Sequence, residues 1–116
     1  MEELLKNVEE FLESGNENLT KKRYNVASSD FFKAIVILCD YMIYSEIKIM
    51  PKNHTERFSL LETYFQQIYK KVSLLFKTYT KSYNLRLSEK EASAVKSYAY
   101  ELKDVILNKK QNRKTP

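Results

Sequence analysis

A chain of 116 residues has room for one domain around one core, and 43% hydrophobic residues are enough to build it. Its single Gly and two Pro leave almost no material for tight turns or β-hairpins, and a lone Gly excludes both a glycine-rich phosphate loop and a Gly-x-Ser-x-Gly elbow. One His and one Cys exclude a clustered His/Cys zinc site, and the net charge of +5 points toward anionic or acidic partners.

The first predicted helix runs from Glu2 to Ser14. Leu4, Leu5, Val8, Phe11 and Leu12 recur at helical spacing, Glu2 and Glu3 suit the positive end of the helix dipole, and Gly15 stands where a C-terminal cap belongs. The polar Asn16-Glu17-Asn18 then reads as a loop. Residues 1–18 hold six Glu against one Lys.

The second helix is predicted from Leu19 or Thr20 to Ile47. Tyr24, Ala27, Phe31, Ala34, Ile35, Leu38 and Met42 share one face, while Phe32, Val36, Ile43 and Ile47 make the opposite side apolar in its second half. A helix apolar on both sides is covered on both sides, either as the central helix of a bundle or against a second copy. The reading favours a homodimer, with Phe32, Val36, Ile43 and Ile47 as its face. Lys33, Asp40, Glu46 and Lys48 interrupt the apolar stretch Phe31–Met50 and exclude it as a membrane span.

Pro51 ends this region, and Asn53 followed by Glu56 reads as a helix N-cap with its reciprocal partner. The third helix carries Phe58, Leu61, Phe65, Ile68, Val72, Leu75, Phe76, Tyr79 and Tyr83 in one near-heptad stripe of about seven turns, a packing seam with Lys70, Lys77 and Lys81 opposite it. Ser88 and Glu91 form a capping box that opens the fourth helix, whose apolar face is Ala92, Val95, Ala99, Leu102 and Ile106. The domain is therefore 1–107. Residues 108–116 lack any apolar residue and are expected to be a disordered basic tail.

Few side chains suggest chemistry. His54 is the one group suited to proton transfer near neutral pH, and Arg57 follows one turn later; the pair reads first as exposed residues beside a helix cap, and otherwise as a site that binds or cleaves a phosphodiester. Arg23 and Asp30, seven apart, flank a polar groove or form a surface pair. Arg86 joins Lys70, Lys71, Lys77, Lys81 and Lys90 in a basic second half that reads as solvated helix faces or as a phosphate-backbone surface. Cys39 is alone, so no internal disulfide is possible; no secretory signal is apparent, and a cytoplasmic protein is expected. No cofactor and no metal is called for.

The order of Ala27-Ser28-Ser29-Asp30-Phe31-Phe32-Lys33-Ala34, then a long helix, then Pro51-Lys52-Asn53-His54, then Phe58, Leu61 and Phe65, and finally Tyr83, Arg86, Glu91, Ala92 and Ala99 resembles the HEPN superfamily over residues 20–106. The resemblance implies an all-α, up-and-down bundle of four to five helices, usually a homodimer, which in many members works beside a nucleotidyltransferase partner in a toxin–antitoxin pair. Active members are metal-independent ribonucleases with an Arg followed four to six residues later by a His. Here the only His, His54, precedes Arg57, and the nearest earlier Arg is Arg23, so no catalytic residue carries over. The implied function is a non-catalytic HEPN-like protein that binds a nucleotide-related or protein partner, RNA included. The alternative is a helical adaptor or a nucleic-acid-binding module using the basic surface. Tyr24, Ala27 and Ala34 faintly match tetratricopeptide spacing, but no period near 34 residues recurs.

Overall fold

In the computed structural model, which describes the backbone of residues 1–114 and the side chains of residues 1–108, the chain is an all-α bundle. Five helices occur among the described residues: α1 (Glu2–Thr20), α2 (Tyr24–Ile47), α3 (His54–Tyr64), α4 (Gln66–Lys81) and α5 (Glu89–Lys114). The bundle is elongated, 45 × 27 × 21 Å, because α2 alone spans about 36 Å at 1.5 Å per residue.

Helix α2 is the axis of the fold and touches all four other helices. Phe31, Ile35 and Leu38 on α2 meet Val8 and Leu12 of α1, Leu61 of α3, Val72 of α4, and Val95, Ala99 and Leu102 of α5 in one core cluster. Its second apolar side is covered in part within one chain. Phe32 and Ile43 are fully buried, Phe32 stacking on Tyr79 at 4.9 Å, while Val36 and Ile47 are half-buried against the core and keep part of their surface open.

The caps at Asn53 and Ser88 form as the sequence requires. Asn53 Oδ1 accepts from the Glu56 amide at 2.9 Å. The Glu91 amide donates to Ser88 Oγ at 3.1 Å, and Glu91 Oε1 accepts from the Ser88 amide at 3.0 Å, which closes the capping box. Helix α2 ends at Ile47, with Lys48 in the left-handed conformation (φ 60°) donating its amide to the Tyr44 carbonyl.

Three boundaries differ from the sequence reading. Gly15 is not a C-cap: α1 runs through it to Thr20, and α2 starts only at Tyr24. Tertiary partners keep Asn16 and Asn18 helical. Asn16 Nδ2 donates to the Tyr100 hydroxyl of α5 at 2.9 Å, and Asn18 Nδ2 donates to Asp30 of α2 at 3.1 Å as well as to the Ser14 carbonyl of its own helix at 3.0 Å. Gly15 instead marks the α1–α2 crossing. A Cβ there would stand 2.6 Å from a ring carbon of Phe31, so only glycine lets the helices close to this separation.

The long third helix is two helices. The chain turns at Phe65 (φ −140°, ψ 59°) although neither Gly nor Pro is present. Phe58 and Phe76 would lie about 27 Å apart on one straight helix, yet their rings meet at 5.2 Å. The reversal lets Phe58, Phe76, Tyr79 and Phe32 close one aromatic cluster, and that burial outweighs local helix continuity. The third difference lies at the C-terminus. Helix α5 continues past Asn108 to Lys114, into the segment expected as a tail, and Thr115 and Pro116 lie outside the described residues.

Cys39 is buried without exposure on the core side of α2, and burial pushes its thiol pKa up to about 12. Thiolate is the reactive form, so native protein should leave a thiol reagent unconsumed at pH 8, with one equivalent reacting on unfolding. Rapid labelling of the folded chain would contradict this burial. No helix among the described residues is long and apolar enough to cross a membrane.

Candidate functional site

The open flank of α2 forms a cavity of about 410 Å³ between α1 and the α3–α4 pair. Helical spacing puts Phe32, Lys33, Val36 and Ile37 along its floor. Phe11 of α1 and Tyr79 of α4 form its walls, and Asn53, His54 and Arg57 at the start of α3 close one end. The Asn53 cap thus serves the site as well as the helix, because it fixes where α3 begins and which turn presents His54 and Arg57.

Arg57 is buried (8% exposed), and its charge is met by Asp40 of α2. Nε donates to Oδ1 at 2.6 Å and Nη2 donates to Oδ2 at 2.9 Å, the two-pronged geometry that suits a planar guanidinium. Nη1 lies 2.9 Å from His54 Nδ1. A guanidinium has no acceptor, so Arg57 donates and Nδ1 carries a lone pair; the neutral ring then holds its hydrogen on Nε2. Burial pushes the His54 pKa below its usual value, and the adjacent Arg57 charge pushes the same way against the opposing pull of Asp40. At neutral pH His54 is therefore an N–H donor with its basic nitrogen already engaged. That arrangement suits holding an anion better than abstracting a proton.

The remaining residues singled out in the sequence lie elsewhere. Asp30 is buried at the α1–α2 contact and accepts from Ser14 Oγ at 2.7 Å and Asn18 Nδ2 at 3.1 Å, so it does not pair with Arg23. Arg23 is exposed at the start of α2, about 25 Å along the helix from Asp40. Arg86 is exposed in the α4–α5 connection, at the same end of the bundle as Arg23. That connection is tied to α2 by Asn25, whose Nδ2 donates to the Ser82 and Leu85 carbonyls at 2.9 and 2.8 Å and whose Oδ1 accepts from the Leu87 amide. His54 and Arg57 are thus brought together, while Arg23, Asp30 and Arg86 are not part of their site.

Asp40, which holds Arg57 beside the cavity, reads in the sequence only as an interruption of an apolar run. The available signal was its position: a carboxylate one turn beyond Val36 on a helix with covered faces requires a buried cationic partner. Lys33 reads in the same way; its Nζ lies 5.6 Å from the centre of the Phe11 ring, across the cavity mouth. Among the described residues, no three His, Cys, Asp or Glu side chains come together as a metal-binding group. Neither a protein-family model, nor a curated protein, nor a solved structure matches the chain.

Proposed function

We propose that this chain is a non-catalytic helical-bundle binding protein whose α1–α2–α3 cavity takes a small anionic ligand with a flat apolar body, nucleotides being the representative class. The observation that carries this reading is the polarity of the cavity. Its walls are aromatic and aliphatic, its polar lining is Lys33, Asn53, His54 and Arg57, and the Asp40 carboxylate behind Arg57 is held by that residue. About 410 Å³ falls within the range of roughly 300–1,000 Å³ usual for small-molecule sites, which combine apolar walls with a few polar groups. Phe11 and Tyr79 offer ring faces to a base, and Lys33 with the His54 Nε2–H offers charge and a donor to a phosphate. The reading agrees with the resemblance to HEPN domains that lack the ribonuclease motif.

Calorimetric titration of nucleoside mono- and diphosphates against the parent nucleosides tests it. Nucleotides should bind with salt-sensitive affinity and nucleosides much more weakly. Lys33→Ala and His54→Ala should each weaken nucleotide binding about tenfold, the effect of losing one charge-assisted hydrogen bond of about 1.4 kcal/mol; the thermal midpoint should stay nearly unchanged for Lys33→Ala and fall for His54→Ala, which also removes the acceptor of the buried Arg57 Nη1. Equal binding of nucleoside and nucleotide, or none at millimolar ligand, would overturn the ligand class. RNA cleavage abolished by His54→Ala would overturn the non-catalytic reading.

A further inference from the structure

A second groove, of about 490 Å³, lies on another side of the molecule between α4 and α5. These helices are consecutive and run in opposite directions, yet they stand apart: α5 packs chiefly on α2, and α4 packs on α3 and α2. Lys71 partly spans the gap, its Nζ 5.8 Å from the centre of the Tyr98 ring. The groove holds two large aliphatic side chains that a helical surface would ordinarily cover: Leu74 on α4 is 60% exposed and Val105 on α5 is 46% exposed. Its rims carry opposite charge. Lys70 and Lys71 stand exposed in the lining on the α4 side and Glu101 on the α5 side, with the exposed Asp104 on the next turn of α5.

We infer that the α4–α5 groove is the surface on which two copies of this chain pair. The charge pattern selects both the partner and the symmetry. A two-fold axis running along the groove sets α4 of each copy against α5 of the other, so that Lys70 and Lys71 face Glu101 and Asp104 of the partner subunit, twice over. An axis across the groove would set lysines against lysines. An isologous interface requires a self-complementary patch, and an apolar floor between oppositely charged rims is one. Leu74 and Val105 then meet their counterparts in the middle, where truncation costs most. This surface is distinct from the ligand cavity and from the α2 face of Phe32, Val36, Ile43 and Ile47. Its test therefore does not depend on nucleotide binding.

The experiment is sedimentation velocity on the full chain at micromolar concentration, with circular dichroism as the check on folding. The wild type should be dimeric, and Leu74→Glu should raise the dimer dissociation constant about tenfold or more while leaving helicity intact. Charge reversal supplies a second readout that does not rely on any one variant folding well. Lys70→Glu with Lys71→Glu makes both rims acidic, and Glu101→Lys with Asp104→Lys makes both basic. Each altered chain should be monomeric alone, and an equimolar mixture should form a heterodimer. A monomeric wild type overturns the inference. So does a dimer indifferent to Leu74→Glu, or a mixture of the two reversed chains that does not associate.

Discussion

Arg57→Ala should destabilise the fold by about 3–5 kcal/mol, the cost of removing one partner from a buried ion pair. Asp40 would be left without the two-pronged contact that now occupies both its oxygens, in a position only 15% exposed at its side chain. Domains of this size are stable by about 5–15 kcal/mol in total, so the variant should sit near its folding threshold at ambient temperature. Denaturant unfolding at unchanged m-value measures the loss. One control separates the charge effect from simple loss of packing. Arg57→Met combined with Asp40→Leu should cost less than Arg57→Ala alone, since no uncompensated charge remains. A loss below about 1 kcal/mol at pH 7 would mean that the pair is screened like a surface ion pair.

The second large effect concerns the crossing of α1 and α2. Phe31→Ala should cost about 3–5 kcal/mol, as for other fully buried aromatics. The informative variant is Gly15→Ala. In an exposed helix interior that change would stabilise by about 1 kcal/mol through helix propensity. Here the new methyl would lie 2.6–2.9 Å from three ring carbons of Phe31, and the ring, with no exposed surface, has nowhere to move. Overpacking of this kind costs about 1–3 kcal/mol, so the clash outweighs the propensity gain and Gly15→Ala should be net destabilising. In a Phe31→Ala background the clash is gone, and the same substitution should become stabilising by about 1 kcal/mol. A thermodynamic cycle over the two positions measures this reversal of sign. Additive effects would show that the α1–α2 crossing does not depend on Gly15 and tolerates a wider separation.

Legibility in the sequence followed the range of the interaction. The caps at Asn53 and Ser88 were readable because each is completed within three residues, and the α2 stripe because its period is local. Glycine scarcity made an all-α chain the only economical solution. The turn at Phe65 was not readable, since no residue near it disfavours helix; it exists because Phe58 and Phe76 meet across the reversal. Gly15 was misread for the same reason. Its local preference is that of a cap, and its role is set by a ring sixteen residues away.

The candidate site divides along the same line. His54 and Arg57 were identifiable from residue type and spacing alone, but Asp40, seventeen residues before Arg57, was not. Arg23, Asp30 and Arg86 were plausible by type and were separated by the fold, Asp30 into a hydrogen-bonded contact with Ser14 and Asn18, the two arginines to the solvent at one end of the bundle. By itself the sequence determined helix content, most helix starts and the absence of glycine-built catalytic loops, because these depend on backbone freedom and on neighbours within a turn or two. The tertiary structure alone decided which charges are paired, which face of α2 remains open and where α4 and α5 part. Those outcomes depend on which distant surfaces win the competition for burial.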